Sequence, residues 1–197
     1  MVDCDDRTPC FMPTHRSDYI IYCGRFQPFH NGHLQMLTAA LKLKAKYHIL
    51  GVIINTLSLQ SGKTTTKHLG RGDSAQSPEK NPLTVSERLV LIREVMREEG
   101  LDGQVVLTAI PRPELYWEII STMLPGIRTW VLPKQLDAFD HGKKRFFESH
   151  GDRVALIRSS RIISGTAVRE ALRSGDKRLA NSVPKSVLTF LKYPKPQ

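Results

Sequence analysis

Short apolar runs alternate with longer amphipathic stretches along this chain, and the two periods predict different elements. The runs at 19–23, 48–55, 104–109, 129–132 and 154–157 are rich in β-branched and aromatic residues and have strand length. Apolar residues recur at helical spacing over 34–46, 85–99, 114–123 and 166–174, and a last helical segment covers about 184–192. Alternation of the two kinds predicts an α/β fold: a doubly wound, mostly parallel sheet covered on both faces, with a C-terminal helical segment on its flank. In such sheets ligands sit at the carboxyl ends of the strands, where the strand order reverses. The 197 residues suffice for one substantial core and are short for two, so 18–197 reads as a single domain. Residues 1–17 lack periodicity and read as a loose tail.

A polar loop rich in Ser, Thr, Lys and Gly, about 55–82, interrupts this order and is long for a structureless connection. It contains Ser61-Gly62-Lys63-Thr64, the last four residues of a P-loop pattern. The earlier glycine of that pattern falls on Leu57, and 64–70 is a poor helix, so the P-loop reading is set aside. Arg71-Gly72-Asp73 in the same loop is a lone tripeptide with little information. A flap or an insertion is the simpler expectation.

The densest chemical signal is Gly24-Arg25-Phe26-Gln27-Pro28-Phe29-His30-Asn31-Gly32-His33. The apolar strand 19–23 ends at Gly24, which allows a sharp turn and close approach to the bare backbone. Pro28 keeps the preceding residue out of the helical region, and helical spacing begins at about Asn31. Strand, glycine turn and helix start together make an anion site, because free N–H groups and the positive end of the helix dipole meet there. A spacing of three puts His30 and His33 on one face, where imidazoles donate hydrogen bonds to phosphoryl oxygens, the more so when protonated. The competing reading is a structural or metal-binding pair. Two histidines are half a zinc site, and the next Cys or His is His48.

Two further segments have physical signatures of their own. Ser164 is a good N-cap for the helix that carries Arg169, whose guanidinium can clamp phosphate oxygens with several donors in fixed geometry. The alternative there is an ordinary capped surface helix. Thr84 and Glu87 form a capping box at another helix start, one residue before Arg88. For that arginine a surface residue balanced by Glu87 is the alternative.

These residues resemble a known family. His30-Asn31-Gly32-His33 matches the H-x-G-H signature of the nucleotidylyltransferase superfamily, and Ile163-Ser164-Gly165-Thr166-Ala167-Val168-Arg169 resembles its I-S-x-T-x-x-R signature. The fuller string from Gly24 to His33 is most similar to archaeal-type nicotinamide-nucleotide adenylyltransferases. Ser74-Ala75-Gln76-Ser77 followed by Asn81-Pro82-Leu83-Thr84-Val85-Ser86-Glu87-Arg88 is similar to a third segment of that family.

The resemblance implies adenylyl transfer from ATP to nicotinamide or nicotinate mononucleotide. It implies that His30, His33 and Arg169 are catalytic and that Gly24, Arg25, Phe26, Gly32, Ser164, Gly165 and Thr166 hold ATP. Arg88 and Trp117 are expected on the acceptor, and Mg²⁺ is expected to arrive with ATP, with no metal ligands from the chain. The likeness is weakest at the acceptor. The family's I-P-D segment, paired asparagines and tryptophan are here Ile110-Pro111-Arg112-Pro113-Glu114-Leu115-Tyr116-Trp117, with Arg112 for the aspartate, no asparagines and an early tryptophan. Trp117 is open between stacking on the acceptor ring and packing in the core. Another phosphorylated acceptor such as phosphopantetheine, or CTP in place of ATP, stays open as an alternative, as does a non-catalytic nucleotide-binding or nucleic-acid-binding protein.

Charge and cysteines narrow the partners. A formal charge of +10 suits anionic ligands, and nucleic acid is disfavoured because the basic residues are dispersed, with Lys143-Lys144-Arg145 the densest cluster. Three cysteines, Cys4, Cys10 and Cys23, are odd in number, and Cys23 falls in the first strand, which fits a reduced, cytoplasmic protein. No apolar run has bilayer-spanning length and the amino terminus is acidic, so neither a membrane span nor a signal peptide is expected. A homo-oligomer stays open.

Overall fold

A computed structural model of the chain describes residues 17–54, 80–158, 163–176 and 181–192. In chain order its elements are β1 (Ser17–Gly24), α1 (Asn31–Ala40), β2 (Ala45–Ile53), α2 (Val85–Glu98), β3 (Val106–Ile110), α3 (Trp117–Met123), β4 (Arg128–Pro133), α4 (Ala138–Ser149), β5 (Arg153–Ile157), α5 (Gly165–Ser174) and α6 (Lys185–Lys192). The five strands form one sheet in the order β3-β2-β1-β4-β5. Every neighbouring pair is parallel.

Side-chain alternation on the central strands builds two cores. Ile20, Tyr22, Leu50, Val52 and Val131 face one side and pack with Met36 and Leu37 of α1, Leu91, Ile92 and Val95 of α2, Val168 of α5 and Val187 of α6. Ile21, Ile49, Ile53, Ile110 and Trp130 face the other and pack with Ile120 of α3 and Phe147 of α4. This is the doubly wound arrangement expected from the pattern. β1 leads into a helix on the first face and its neighbour β4 into a helix on the second, so the chain parts in opposite directions at their carboxyl ends. That crevice is the switch point where such sheets bind ligands.

Several boundaries differ from the sequence expectations. The helix expected over 34–46 is Asn31–Ala40, and residues 45 and 46 open β2 instead. Leu41, Lys42 and Leu43 turn back on the carbonyls of Leu37, Ala39 and Ala40, and Ala45 then pairs with Ser17 at the start of β1. The helix expected over 114–123 begins at Trp117, because Leu115 and Tyr116 close a turn on the carbonyl of Arg112. α4 has no counterpart among the expected elements. Its apolar contribution is a few aromatic rings, Gly142 within it is a poor helix former, and the clearest start signal is Asp137, which accepts from the Asp140 N–H at 2.8 Å. Ser17, expected in the tail, belongs to β1, and its hydroxyl is 2.7 Å from that of Thr129 on β4. Residues 1–16 and 55–79, and with them the tail, most of the polar loop, Ser61–Thr64, Arg71–Asp73 and the Ser74–Ser77 part of the third segment, lie outside the described residues. Among the described residues no helix is long and apolar enough to cross a membrane.

Candidate active site

The turn after β1 is built around one aromatic ring. Phe26 adopts a left-handed backbone, φ +49°, and its ring folds back over Gly24, where a Cβ would stand 2.8 Å from the ring. Any side chain at position 24 would displace that ring. Phe26 is 2% exposed and Phe29 fully buried, and both rings lie against His33, at 4.9 and 5.5 Å between centroids. The Phe26 ring is therefore the floor under the histidine, and what position 26 offers a nucleotide is its main chain in the turn.

His30 is the extended N-cap of α1 and His33 its third residue, with Gly32 between them in the first turn. The imidazoles stack, with centroids 3.6 Å apart and planes 18° from parallel. The His30 backbone N–H donates to His33 Nδ1 at 3.3 Å, so the neutral ring carries its proton on Nε2. Burial pushes His30 down to about 4, and burial together with the adjoining His30 holds His33 well below the usual histidine range. The pair is neutral at pH 7 in the free protein. The rings are preset N–H donors, and a bound polyanion is what would favour their charged forms.

The second motif docks directly on the first. Ser164 caps α5 by accepting from the Ala167 N–H at 3.1 Å. Gly165 lies so close to the turn that a Cβ on it would stand 2.8 Å from the Gln27 carbonyl oxygen. Arg169 Nη1 donates to the same carbonyl, while Nη2 donates to Thr166 Oγ1 at 3.2 Å. Thr166 keeps its own hydroxyl proton for another acceptor. Burial and the neighbouring Arg173 lower the Arg169 guanidinium somewhat, and it stays cationic.

The third motif holds the turn from the other side. Arg25 Nη1 reaches Asn81 Oδ1 at 3.4 Å, and the Gln27 amide pairs with the Leu83 backbone. Arg88 is 1% exposed and is bonded to the protein itself: Nη1 donates to the carbonyls of Arg25 at 2.7 Å and Ile53 at 2.9 Å, and Nε to that of Thr84 at 3.1 Å. Burial and the charge of Arg25 lower it to about 10. Through Nε and Nη1 it is a strut joining the ends of β1 and β2 to the start of α2. Arg88 could be foreseen as a cation near the site; that it would be used on carbonyls could not.

Trp117 is not brought to the histidines. Its ring lies 5.4 Å from Phe146 and 4.5 Å from His150, with the Arg128 guanidinium 5.0 Å over it. Arg128 opens β4 and His150 ends α4, so these contacts belong to the amino edge of the sheet, opposite the switch point. Trp117 is partly buried and packs against the second core. Arg112 is 8% exposed and donates through Nε to Glu114 Oε1 at 2.9 Å. Cys23 is a free thiol that burial pushes up to about 11, far from a reactive thiolate.

A family model described as cytidylyltransferase-like matches residues 21–171, from mid-β1 to mid-α5. The chain belongs to the cytidylyltransferase-like family. All three segments just described fall within that span or the elements it contains. This family member is 28% identical over 177 residues to nicotinamide-nucleotide adenylyltransferase 1 of Sulfolobus acidocaldarius, covering 87% of each chain. It is similar in fold to a putative nicotinate-nucleotide adenylyltransferase from Vibrio parahaemolyticus, with a TM-score of 0.55 at 15% identity over 90% of this chain and 99% of the other. It is also similar in fold to a bifunctional NMN adenylyltransferase/ADP ribose pyrophosphatase from Francisella tularensis, with a TM-score of 0.57 at 17% identity over 89% of this chain. There it spans about half, 48%, of the longer chain.

Proposed function

We propose that this chain transfers the adenylyl group of ATP to nicotinamide mononucleotide or its nicotinate form, releasing pyrophosphate. The observation that carries the reading is the docking of Ser164–Arg169 on the Gly24–His33 turn through the Gln27 carbonyl. It gathers imidazole, hydroxyl and guanidinium donors at the switch point of a parallel sheet. The names of the relatives support the acceptor class.

The chemistry needs no nucleophile from the chain. A phosphate oxygen of the mononucleotide attacks the α-phosphorus of ATP in line. The new P–O bond forms as the bond from that phosphorus to the bridging oxygen breaks, and pyrophosphate leaves with the electron pair. Catalysis is then alignment of two repelling anions and stabilisation of charge growing on the leaving oxygens. We assign His33, through its Nε2 proton, and His30 to that charge, and Arg169 and Thr166 to the β- and γ-phosphates. Ser164 holds the α5 start in place, and Arg25 guides phosphate into the turn. Mg²⁺ belongs to this scheme as part of MgATP. The donors at the site are imidazole, hydroxyl and guanidinium groups, which suit phosphate oxygens, whereas Mg²⁺ takes oxygen ligands from the phosphates and water. A cytoplasmic location fits such substrates.

The test is an assay of pyrophosphate release with ATP or CTP and Mg²⁺ against a panel of phosphorylated acceptors. Product with ATP and either pyridine mononucleotide, abolished by excess EDTA, is the expected result. Product only with phosphopantetheine or only with CTP overturns the assignment, and no product with any pair favours a nucleotide-binding protein without catalysis.

A further inference from the structure

Gln27 has no role in the reaction as drawn, yet it is where the three motifs meet. Its side chain is 5% exposed. Nε2 donates to the Leu83 carbonyl at 2.7 Å, and the Leu83 N–H donates to Oε1 at 3.0 Å, so the amide pairs with the backbone just before the Thr84 cap of α2. Its own carbonyl takes the Arg169 guanidinium and sits against Gly165. Three residues on stands His30. The third motif therefore grips the side chain of the residue whose main chain seats the second motif. A neutral amide suits this place because it offers a donor and an acceptor side by side, which a carboxylate or a thioether does not.

We propose that Gln27 is a positioning residue for adenylyl transfer: by pairing with Leu83 it fixes the turn so that the histidine pair and Arg169 face the same phosphates. This rests on the adenylyl-transfer reading. A purely structural brace would change stability and leave the chemistry of folded molecules alone. A positioning residue changes kcat, since displacement of about 1 Å at reacting groups costs on the order of 100-fold.

Two variants separate these. Gln27→Met removes both hydrogen bonds at similar size, and kcat at saturating ATP is expected to fall by about 10- to 100-fold with a much smaller change in the KM for ATP. Gln27→Glu presents one donor and one acceptor when protonated and only acceptors when ionised. Its kcat relative to the unmodified protein is therefore expected to rise as pH falls from 8 to 6, while the same ratio for Gln27→Met stays flat. In NMR spectra of Gln27→Met the imidazole signals of His30 and His33 should shift, and those of His48 and His150 should not.

Unchanged kcat in folded Gln27→Met, or a flat ratio for Gln27→Glu, overturns the proposal. Should Gln27→Met fail to fold, the Gln27→Glu profile decides. Should the unmodified protein release no pyrophosphate with any acceptor, the functional reading falls. The imidazole signals then decide the positioning claim by themselves: movement of His30 and His33 alone supports it, and unmoved signals overturn it.

Discussion

With 3.6 Å between their stacked centroids, His30 and His33 cannot both take a proton cheaply, and both are held neutral by burial. A ring that donates from Nε2 without bearing charge strengthens its hydrogen bond as charge develops on a leaving oxygen. His33→Ala is therefore expected to lower kcat by roughly 100- to 1,000-fold while ATP affinity changes only a few-fold, as read by steady-state kinetics beside calorimetric binding. Equal turnover in variant and parent removes His33 from the chemistry. The same depressed values tie stability to pH. An unfolded histidine takes its proton near 6.5 and folded His30 only near 4, so stability is full above 6.5 and drains as pH falls across that window. His30 contributes roughly 3 kcal/mol of this loss, and His33 acts in the same direction. Urea midpoints should drop from pH 7.5 to pH 5, and the drop should be smaller in His30→Asn.

At the scale of elements, α5 meets the β1–α1 turn with no room to spare. Gly165→Ala places a methyl group against the Gln27 carbonyl and pushes α5 off the turn. It should reduce kcat/KM for ATP by about 10-fold or more, while urea unfolding shifts by only about 1 kcal/mol. A variant with full activity would separate α5 from the site. The motifs were legible in the sequence because each stands at a strand-to-helix transition and carries its own cap, Ser164 on α5 and Thr84 on α2. What the sequence did not disclose was which polar group each side chain would take. Arg88 reads from sequence as a cation near a phosphate, and its actual partners are main-chain carbonyls of β1, β2 and the α2 cap, visible only once the sheet is assembled. Trp117 is the same lesson in apolar form, since α4, whose Phe146, Phe147 and His150 surround it, lacks the periodicity that would have announced it.

For the whole molecule, the sheet separates stability from chemistry. The amino edge is held by Asp152, which accepts from Arg128 Nε and, at 2.7 Å, from the Trp130 indole N–H. These side chains are nearly buried, so Asp152→Ala leaves a cation and an indole donor without their partner and should cost about 3–5 kcal/mol in urea unfolding. Because the site lies at the opposite edge, kcat of the folded fraction should hold within about twofold. Loss of activity without loss of stability would contradict that division. In the densest basic cluster Lys144 is paired with Glu148 at 2.7 Å. The most direct test of the central claim follows the α-phosphate. With ATP labelled at that phosphate, nicotinamide or nicotinate mononucleotide and Mg²⁺, label is expected in the dinucleotide in equal amount to pyrophosphate, with none bound to protein. Label retained covalently on the chain, or absent from any acceptor product, would contradict it.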